Sequence, residues 1–506
     1  MNVAEYLEQH AASTPDQIAI RFEGRSITYG QLNRDANRLA SSLRKAGVAA
    51  ADRVALYLPN VPEFATAYYA AQKLGAIPVT INAILKTEEV RYLLDDSLAS
   101  VVITMDELTR HVPDDCSALR LRIVVDPGTA APAWTALADL LSTGADTLES
   151  VPCAADAVAA LLYSSGTTGF PKGVALTQHN IHSNIALPPK AQYSDYRPGD
   201  RLATFLPLFH VYGQNYIMNA AILAGATLVL FTRFVPDVVL RAIGEERITH
   251  FFAVPTIYIN LLSMDLSGYD LSSLRYEMSA AATMPEEISR RWTERFGRRV
   301  YEGYGLTECS PFSCYNDSHE HRFGSVGRAV EGFELKIFDE ADHEMPVGEQ
   351  GEIVIRGEGV MQGYWRRPQE SQTALRGGWL HTGDVGRMDK DSYVYITDRV
   401  KDMINVSGFK VWPAEVEQYL YRIPEIHECA VYGVPDATKG EQVAVAVVAK
   451  AGATLTGAQV IDWCREHLAA YKVPARVDLV TELPKSATGK LLKRVLRDQA
   501  AAAAKG

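Results

Sequence analysis

Apolar and polar positions repeat with two different periods along this chain, and the switches between them mark its elements. Ile18-Ala19-Ile20-Arg21-Phe22 and Ser26-Ile27-Thr28-Tyr29, separated by Glu23-Gly24, predict a β-hairpin. Thr28 and Gln31 then read as the capping box of a helix whose Leu32, Ala36, Leu39, Ala40 and Leu43 share one face, with Gly47 as its stop. Strand patterns at 54–57, 77–81, 101–104 and 121–125 alternate with helical patterns near 61–74 and 86–96. Further strands are expected near 201–205, 227–231, 249–253 and 274–279, again separated by helices, one of which ends at Ala224-Gly225. This β–α alternation predicts largely parallel sheets covered by helices.

From about 325 to 398 the pattern shortens. Glu334-Leu335-Lys336-Ile337-Phe338 and Glu352-Ile353-Val354-Ile355 alternate strictly between turns at 339–342 and 347–349, which predicts an antiparallel sheet or small barrel. Past residue 400 comes an α+β pattern of about a hundred residues, with a strand at 443–449 and a helix at 457–469. The alanine-rich stretch 500–504 is expected to fray.

Length and charge narrow the classes. A chain of 506 residues holds about three or four domain-sized units. The net charge of −11 argues against nucleic acid or an anionic membrane as principal partner. Any anion bound must be met by local positive groups. The six cysteines stand at 116, 153, 309, 314, 429 and 464 without a C-x-x-C pair, so reduced thiols in a cytoplasmic compartment fit better than zinc or disulfides. Met1-Asn2-Val3-Ala4-Glu5-Tyr6 lacks the basic start and apolar core of a secretory leader. The most apolar window, 216–231, contains Asn219, Gly225 and Thr227 and falls short of the ~20 residues a spanning helix needs. No transmembrane segment is expected; peripheral contact with lipid stays open.

Five segments carry chemistry. An apolar run, Ala159-Ala160-Leu161-Leu162-Tyr163, ends in Ser164-Ser165-Gly166-Thr167-Thr168-Gly169-Phe170-Pro171-Lys172-Gly173. Glycines that turn backbone N–H groups inward, hydroxyl donors and one lysine suit a polyphosphate, and a solvated linker is the alternative. The spacing is not that of a Walker A loop. In Tyr301-Glu302-Gly303-Tyr304-Gly305-Leu306-Thr307-Glu308, an aromatic ring can stack on a purine and two glycines allow close approach. Thr307 and Glu308 there offer oxygens to a phosphate and a hard cation, for which one carboxylate is enough. Asp384, read as lying at a turn, can accept a ribose diol to which Arg399 also donates; a surface ion pair is the alternative. Asn405-Val406-Ser407-Gly408-Phe409-Lys410 would let a thin thiol arm pass Gly408, or simply connects strands. In Pro484-Lys485-Ser486-Ala487-Thr488-Gly489-Lys490, a lysine on a glycine turn can neutralise a carboxylate and an α-phosphate together.

In this order, the five segments resemble the adenylate-forming superfamily, and within it the acyl-CoA synthetases. The loop SSGTTGFPKG is the one they share with firefly luciferases and peptide-synthetase adenylation domains, and the resemblance spans residues from about 10 to 495. It implies an α/β and α+β multidomain fold: a large N-terminal domain, 1–398, of two αβ-layered subdomains and a small β-barrel, then a small mobile α+β lid, 399–506, hinged near Lys401. It also implies two steps, adenylation of a carboxylic acid by ATP with Mg²⁺, then transfer of the acyl group to CoA.

By resemblance, ATP and AMP are bound by Ser164, Ser165, Gly166, Thr167, Thr168, Gly169, Lys172, Ala281, Glu302, Gly303, Tyr304, Gly305, Thr307, Asp384, Arg399 and Lys490. Lys490, Thr307, Glu308 and His210 are the catalytic candidates, and Glu308 with Thr168 the magnesium ligands. Leu206-Pro207-Leu208-Phe209-His210-Val211-Tyr212-Gly213 resembles the start of the acyl pocket, giving His210, Tyr212, Tyr216 and Ala280 as wall residues. Gly408, Phe409 and Lys410 would line the CoA channel. Ser279-Ala280-Ala281-Ala282 departs from the family, whose members carry a glycine-rich segment there. The helix from Tyr216 to Leu223 has no Arg or Lys for a second carboxylate, so an apolar acid is expected, medium or long fatty acids first and aryl or cinnamate-type acids next. A ligase that loads a separate carrier protein, and a non-catalytic nucleotide-binding relative, are the competing readings; a homodimer is left open.

Overall fold

A computed structural model describes residues 2–128, 133–164, 170–436, 438–486 and 489–503. Within them the strands form four sheets. The first runs, edge to edge, Gly363–Tyr364, Lys172–Thr177, Val158–Ser164, Ile77–Thr80, Arg53–Tyr57, Val101–Thr104, Leu121–Val124, Thr135–Ala136. It is parallel from Val158–Ser164 to Thr135–Ala136 and antiparallel at the other edge. The second places Arg201–Thr204, Thr227–Leu230, His250–Ala253, Tyr276–Ser279 and Val300–Gly305 in parallel, with the N-terminal hairpin at one edge. Central strands such as Val101–Thr104 and Thr227–Leu230 are buried along their whole length. That burial explains why they read as unbroken apolar runs rather than alternations.

Helices fill the space between these sheets, and one core cluster includes side chains of both. The expected capping box is formed: Thr28 Oγ1 accepts from Gln31 N at 3.2 Å and Gln31 Oε1 from Thr28 N at 2.9 Å. The helix behind it, Tyr29–Lys45, buries Leu32, Ala36, Leu39, Ala40 and Leu43. Residues 212–219 wind as a π-helix, which continues as Ala220–Ala224 and stops at Gly225 with φ +69°. A π-helix adds a residue per turn and often marks a functional site.

The strands Phe333–Phe338, Gly351–Gly357, Leu380–Met388 and Val394–Arg399 form an antiparallel sheet. A bridge from Gly327 to Val394 ties it to the second sheet. A turn at Val400–Asp402 leads to the last sheet, built from Ile404–Val406, Phe409–Val411, Ile426–Asp436, Gly440–Ala449 and Arg476–Leu479. The tail is not frayed as far as it is described. Lys493–Ala503 is helical, with Leu496 and Ala500 buried beside Ala430 and Tyr432. Of the alanines that suggested a loose end, Ala500 packs in this cluster and Ala502 is exposed.

Candidate active site

Parallel strands present ligands at their carboxyl ends, and Ser164, Ala253, Ser279 and Gly305 are the last residues of four of them. Three further contacts cluster candidate residues there. Ser164 and Lys172 are cross-strand partners flanking the Ser/Gly/Thr loop. Ser164 Oγ donates to Glu308 Oε1 at 3.1 Å, and Tyr364 Oη donates to the same oxygen at 3.1 Å. Lys172 Nζ lies 5.1 Å from the centre of the Tyr364 ring. Ser165, Gly166, Thr167, Thr168 and Gly169 lie outside the described residues. Glu308 Oε2 keeps no hydrogen-bond partner among the described residues, so one carboxylate oxygen is free for a nucleotide-bound cation.

Asp384 and Arg399 face each other across adjacent strands, Arg399 Nε donating to Asp384 Oδ1 at 2.6 Å. Tyr304 Oη donates to Asp384 Oδ2 at 2.8 Å. Asp384 lies inside the strand Leu380–Met388 rather than at a turn, which corrects the expectation from sequence. The turn-like signal comes from Gly383, whose φ is +70°.

Lys490 enters from the C-terminal sheet's side. Its neighbour Gly489 has φ +80°, and a Cβ there would stand 3.0 Å from Val254 Cγ2. Thr256 Oγ1 donates to the Gly489 carbonyl at 3.2 Å. The Lys490 pKa is lowered, first by desolvation, then by the positive charge of Arg399 and of Lys401, with Asp384 and Asp402 opposing. The residue is nevertheless exposed, so solvent screens part of that effect. His210 is pushed down to about 4 by burial and by the charge of Lys490, and is therefore a neutral imidazole at neutral pH.

Glu302 is 2% exposed, and its Oε1 has no hydrogen-bond partner among the described residues. Burial, with the nearby charge of Glu286, raises its pKa well above the usual carboxylate value, which favours a neutral acid. Ser279, its cross-strand partner, also has a buried hydroxyl without a partner among the described residues. Ala281 adopts φ +70°, the conformation a glycine would take without strain. Gly303 and Gly305 do permit close approach, but of the protein to itself. A Cβ at Gly303 would meet Met278 Cε at 2.2 Å, and one at Gly305 the Pro311 carbonyl at 1.8 Å. Tyr301 is likewise engaged within the protein, stacked on Tyr276 at 4.7 Å. Thr307 begins the short turn that carries Glu308.

Tyr212 and Tyr216 belong to an aromatic cluster. Tyr216 packs on Phe312 at 4.6 Å and Phe252 at 5.5 Å, and Tyr212 on Phe312 at 5.3 Å. Tyr216 Oη hydrogen-bonds Ser194 Oγ, whereas the buried hydroxyls of Tyr212, Tyr276 and Tyr315 lack partners among the described residues. Ala280 is buried beside them. Gly408, Phe409 and Lys410 are not brought to this cluster. They form an exposed hairpin in which Phe409 stacks on Tyr471 at 4.7 Å and Lys410 reaches Glu340 at 3.4 Å. Lys401 is exposed in the turn between the last two sheets, its carbonyl accepting from Arg497 at 3.3 Å. Tyr364, Val254 and Thr256 were not singled out from sequence. No motif marks them; only the pairing of Gly363 with Ala175 carries Tyr364 to Lys172.

The arrangement is matched by known proteins. Residues 7–365 match the family model described as AMP-binding enzyme, and residues 415–490 match the AMP-binding enzyme C-terminal domain. A long-chain-fatty-acid–CoA ligase of Bacillus subtilis (strain 168) is 35% identical, over 97% of this chain and 93% of its own length. A feruloyl-CoA synthase of Amycolatopsis sp is 36% identical, over 97% of each chain. The crystal structure of an anthranilate CoA ligase in complex with anthranoyl-AMP superposes with a TM-score of 0.94 at 32% identity, covering 100% of this chain and 98% of that one.

Proposed function

We propose a function from one established premise: this chain belongs to the AMP-binding enzymes and is an adenylate-forming acyl-CoA synthetase. It joins a carboxylic acid to CoA through an acyl-adenylate, with ATP as co-substrate. The finer reading concerns residues and substrate. The observation that carries it is the docking of the Gly489 turn, which bears Lys490, on Thr256 and Val254 just past the end of the strand His250–Ala253.

In the first step the acid's carboxylate attacks the α-phosphorus, and pyrophosphate leaves. Two unit negative charges ~4 Å apart repel by roughly 4 kcal/mol at an effective dielectric of 20. The ammonium of Lys490 offsets that repulsion, and Lys172 does the same for the departing phosphates. Asp384, held by Tyr304 and Arg399, has lone pairs left to accept a ribose diol. Glu302, as a neutral acid, reads the base edge without adding charge. Magnesium fits the uncommitted Glu308 oxygen and, when bound, neutralises phosphate charge there. Neutral His210 lies where it can orient the carboxylate without competing with Lys490 for it.

The acid is an apolar monocarboxylate, and we place aryl acids carrying a polar ring substituent ahead of long alkyl chains. Tyr212, Tyr216, Phe252 and Phe312 pack ring on ring, an aromatic wall that suits a flat acid better than a long alkyl chain, and the Tyr212 hydroxyl has no partner among the described residues. The likeness to feruloyl-CoA and anthranilate CoA enzymes supports this, and that to long-chain-fatty-acid–CoA ligases supports the alternative. Pyrophosphate release is measured with ferulate, anthranilate, benzoate, decanoate and palmitate, each with and without CoA. Release that depends on the acid and is highest with the aryl acids is expected. Highest kcat/KM with palmitate overturns the substrate assignment.

A further inference from the structure

The C-terminal unit meets the rest of the chain along a second line, away from the nucleotide residues. His427 Nε2 and Asn260 Oδ1 are 3.0 Å apart, Glu286 N donates to Gln418 Oε1 at 3.0 Å, and Arg291 Nη2 donates to the Tyr421 carbonyl at 3.3 Å. These contacts border a half-open cleft of about 850 Å³. Its apolar lining comes from Ile259, Leu262 and Ile288 on one side and Ile426 on the other.

Three cations line the same cleft: Arg291 and Arg295 from the helix Glu286–Phe296, and Lys450 from the turn after Gly440–Ala449. Arg295 is pinned by bonds to the Leu262 and Met264 carbonyls at 2.7 and 2.6 Å. Arg291 is braced by Glu287 at 2.8 Å. The Lys450 ammonium has no hydrogen bond or ion pair among the described residues. Its pKa is lowered by burial first and by the charge of Arg291 second, against the opposing charge of Glu425. Glu294 also faces the cleft and pairs with no cation among the described residues. Arg291 and Lys450 thus line one cleft from the two sides of the interface beside apolar side chains, with Glu287 paired to Arg291 and Glu294 the carboxylate among the lining residues.

We propose that this cleft binds an amphipathic anion, an apolar body with one carboxylate, sulfonate or phosphate head, and that the bound anion holds the C-terminal unit in the arrangement seen here. The head sits between Lys450 and Arg291, and the body covers the isoleucines and Leu262. The site takes residues from both units, so it exists only while they are so arranged. A ligand of one arrangement favours it by the factor 1 + [L]/Kd, about tenfold at ten times Kd. The regulatory consequence rests on the proposed function. Lys490 is placed for adenylation in this arrangement, so the anion spares that step and slows thioester formation, which on this proposal uses another placement of the lid about Lys401, the hinge the resemblance implies.

The probe is 1-anilinonaphthalene-8-sulfonate, added at constant ionic strength. Its binding is followed by fluorescence, with wild type, Lys450→Ala and Lys450→Glu compared in parallel. Wild type binds it, and both variants bind at least tenfold more weakly. Thioester formation from supplied acyl-adenylate slows several-fold with the probe in wild type only. Lys450→Glu, which supplies a carboxylate opposite Arg291, is slow in that step without any probe. Equal affinity in all three proteins overturns the site. Equal slowing of both half-reactions, in wild type and variants alike, shows the probe in the acyl pocket and also overturns it. The fluorescence arm needs no turnover, so failure of the proposed reaction leaves it readable.

Discussion

Replacing Gly489 with alanine separates docking of the C-terminal unit from the chemistry of Lys490. At φ +80° an L-residue costs ~1–2 kcal/mol. That local cost is present however the unit is oriented. Part of it is offset because alanine restricts the unfolded chain, a gain of ~0.4–1 kcal/mol, so global stability falls by about 1 kcal/mol or less. The contact with the body is different. The new methyl would lie 3.0 Å from Val254 Cγ2, and moving away lengthens the 3.2 Å bond from Thr256 to the Gly489 carbonyl. A hydrogen bond of this kind contributes ~1 kcal/mol. With the lost contact, the docked arrangement weakens by ~1–2 kcal/mol, or roughly 5–30-fold in population. Single-turnover pyrophosphate release should slow about tenfold in Gly489→Ala, while thioester formation from supplied acyl-adenylate stays near wild type. Thr256→Val, which removes the bond without the strain, should slow adenylation ~5-fold, in line with ~1 kcal/mol. Unchanged adenylation in Gly489→Ala, or equal loss of both half-reactions, refutes the docking role.

Other expectations follow from the same geometry. Because the Lys490 pKa is lowered, its charge is lost at a lower pH than for a free lysine, so the alkaline limb of adenylation starts below 10.5. Lys490→Arg should move that limb upward, and an unmoved limb would assign it to another group. Glu302 has a raised folded-state pKa, so its contribution to stability is full below its unfolded value and is lost as pH rises toward the raised one. Glu302→Gln should therefore flatten the fall in Tm with rising pH; a Tm profile parallel to wild type would show Glu302 ionised throughout. Ala281→Gly removes a left-handed alanine and adds unfolded-state entropy, for a net gain of up to about 1 kcal/mol by urea denaturation. A loss greater than 1 kcal/mol would mean that the methyl packs against something essential.

The parts legible in the sequence are those with local causes. The Thr28/Gln31 capping box, the helix stop at Gly225 and the parallel strands follow from hydrogen bonding and burial within a few residues. The ends of the phosphate-type loop are similar, since Ser164 and Lys172 sit on adjacent strands of one hairpin. Contacts made through long-range pairing were not legible. Tyr364 reaches Glu308 only because a two-residue strand pairs with Lys172–Thr177, and Thr256 meets Gly489 across 233 positions. Gly303 and Gly305 show a second use of a glycine that the sequence does not reveal: a Cβ at either would meet Met278 or Pro311. The aromatic residues near 212–216 read as pocket walls, but their mutual packing, which bears on the acid's shape, depends on Phe252 and Phe312 from distant strands.

The central claim is that Lys490 serves the first half-reaction because the C-terminal unit carries it to the ends of the parallel strands. It is tested most directly by measuring both half-reactions in Lys490→Ala with one accepted acid. Loss of acyl-adenylate formation by on the order of 10²–10³, with thioester formation from supplied acyl-adenylate retained, is the result expected. Adenylation at the wild-type rate, or both steps lost together, would contradict the account.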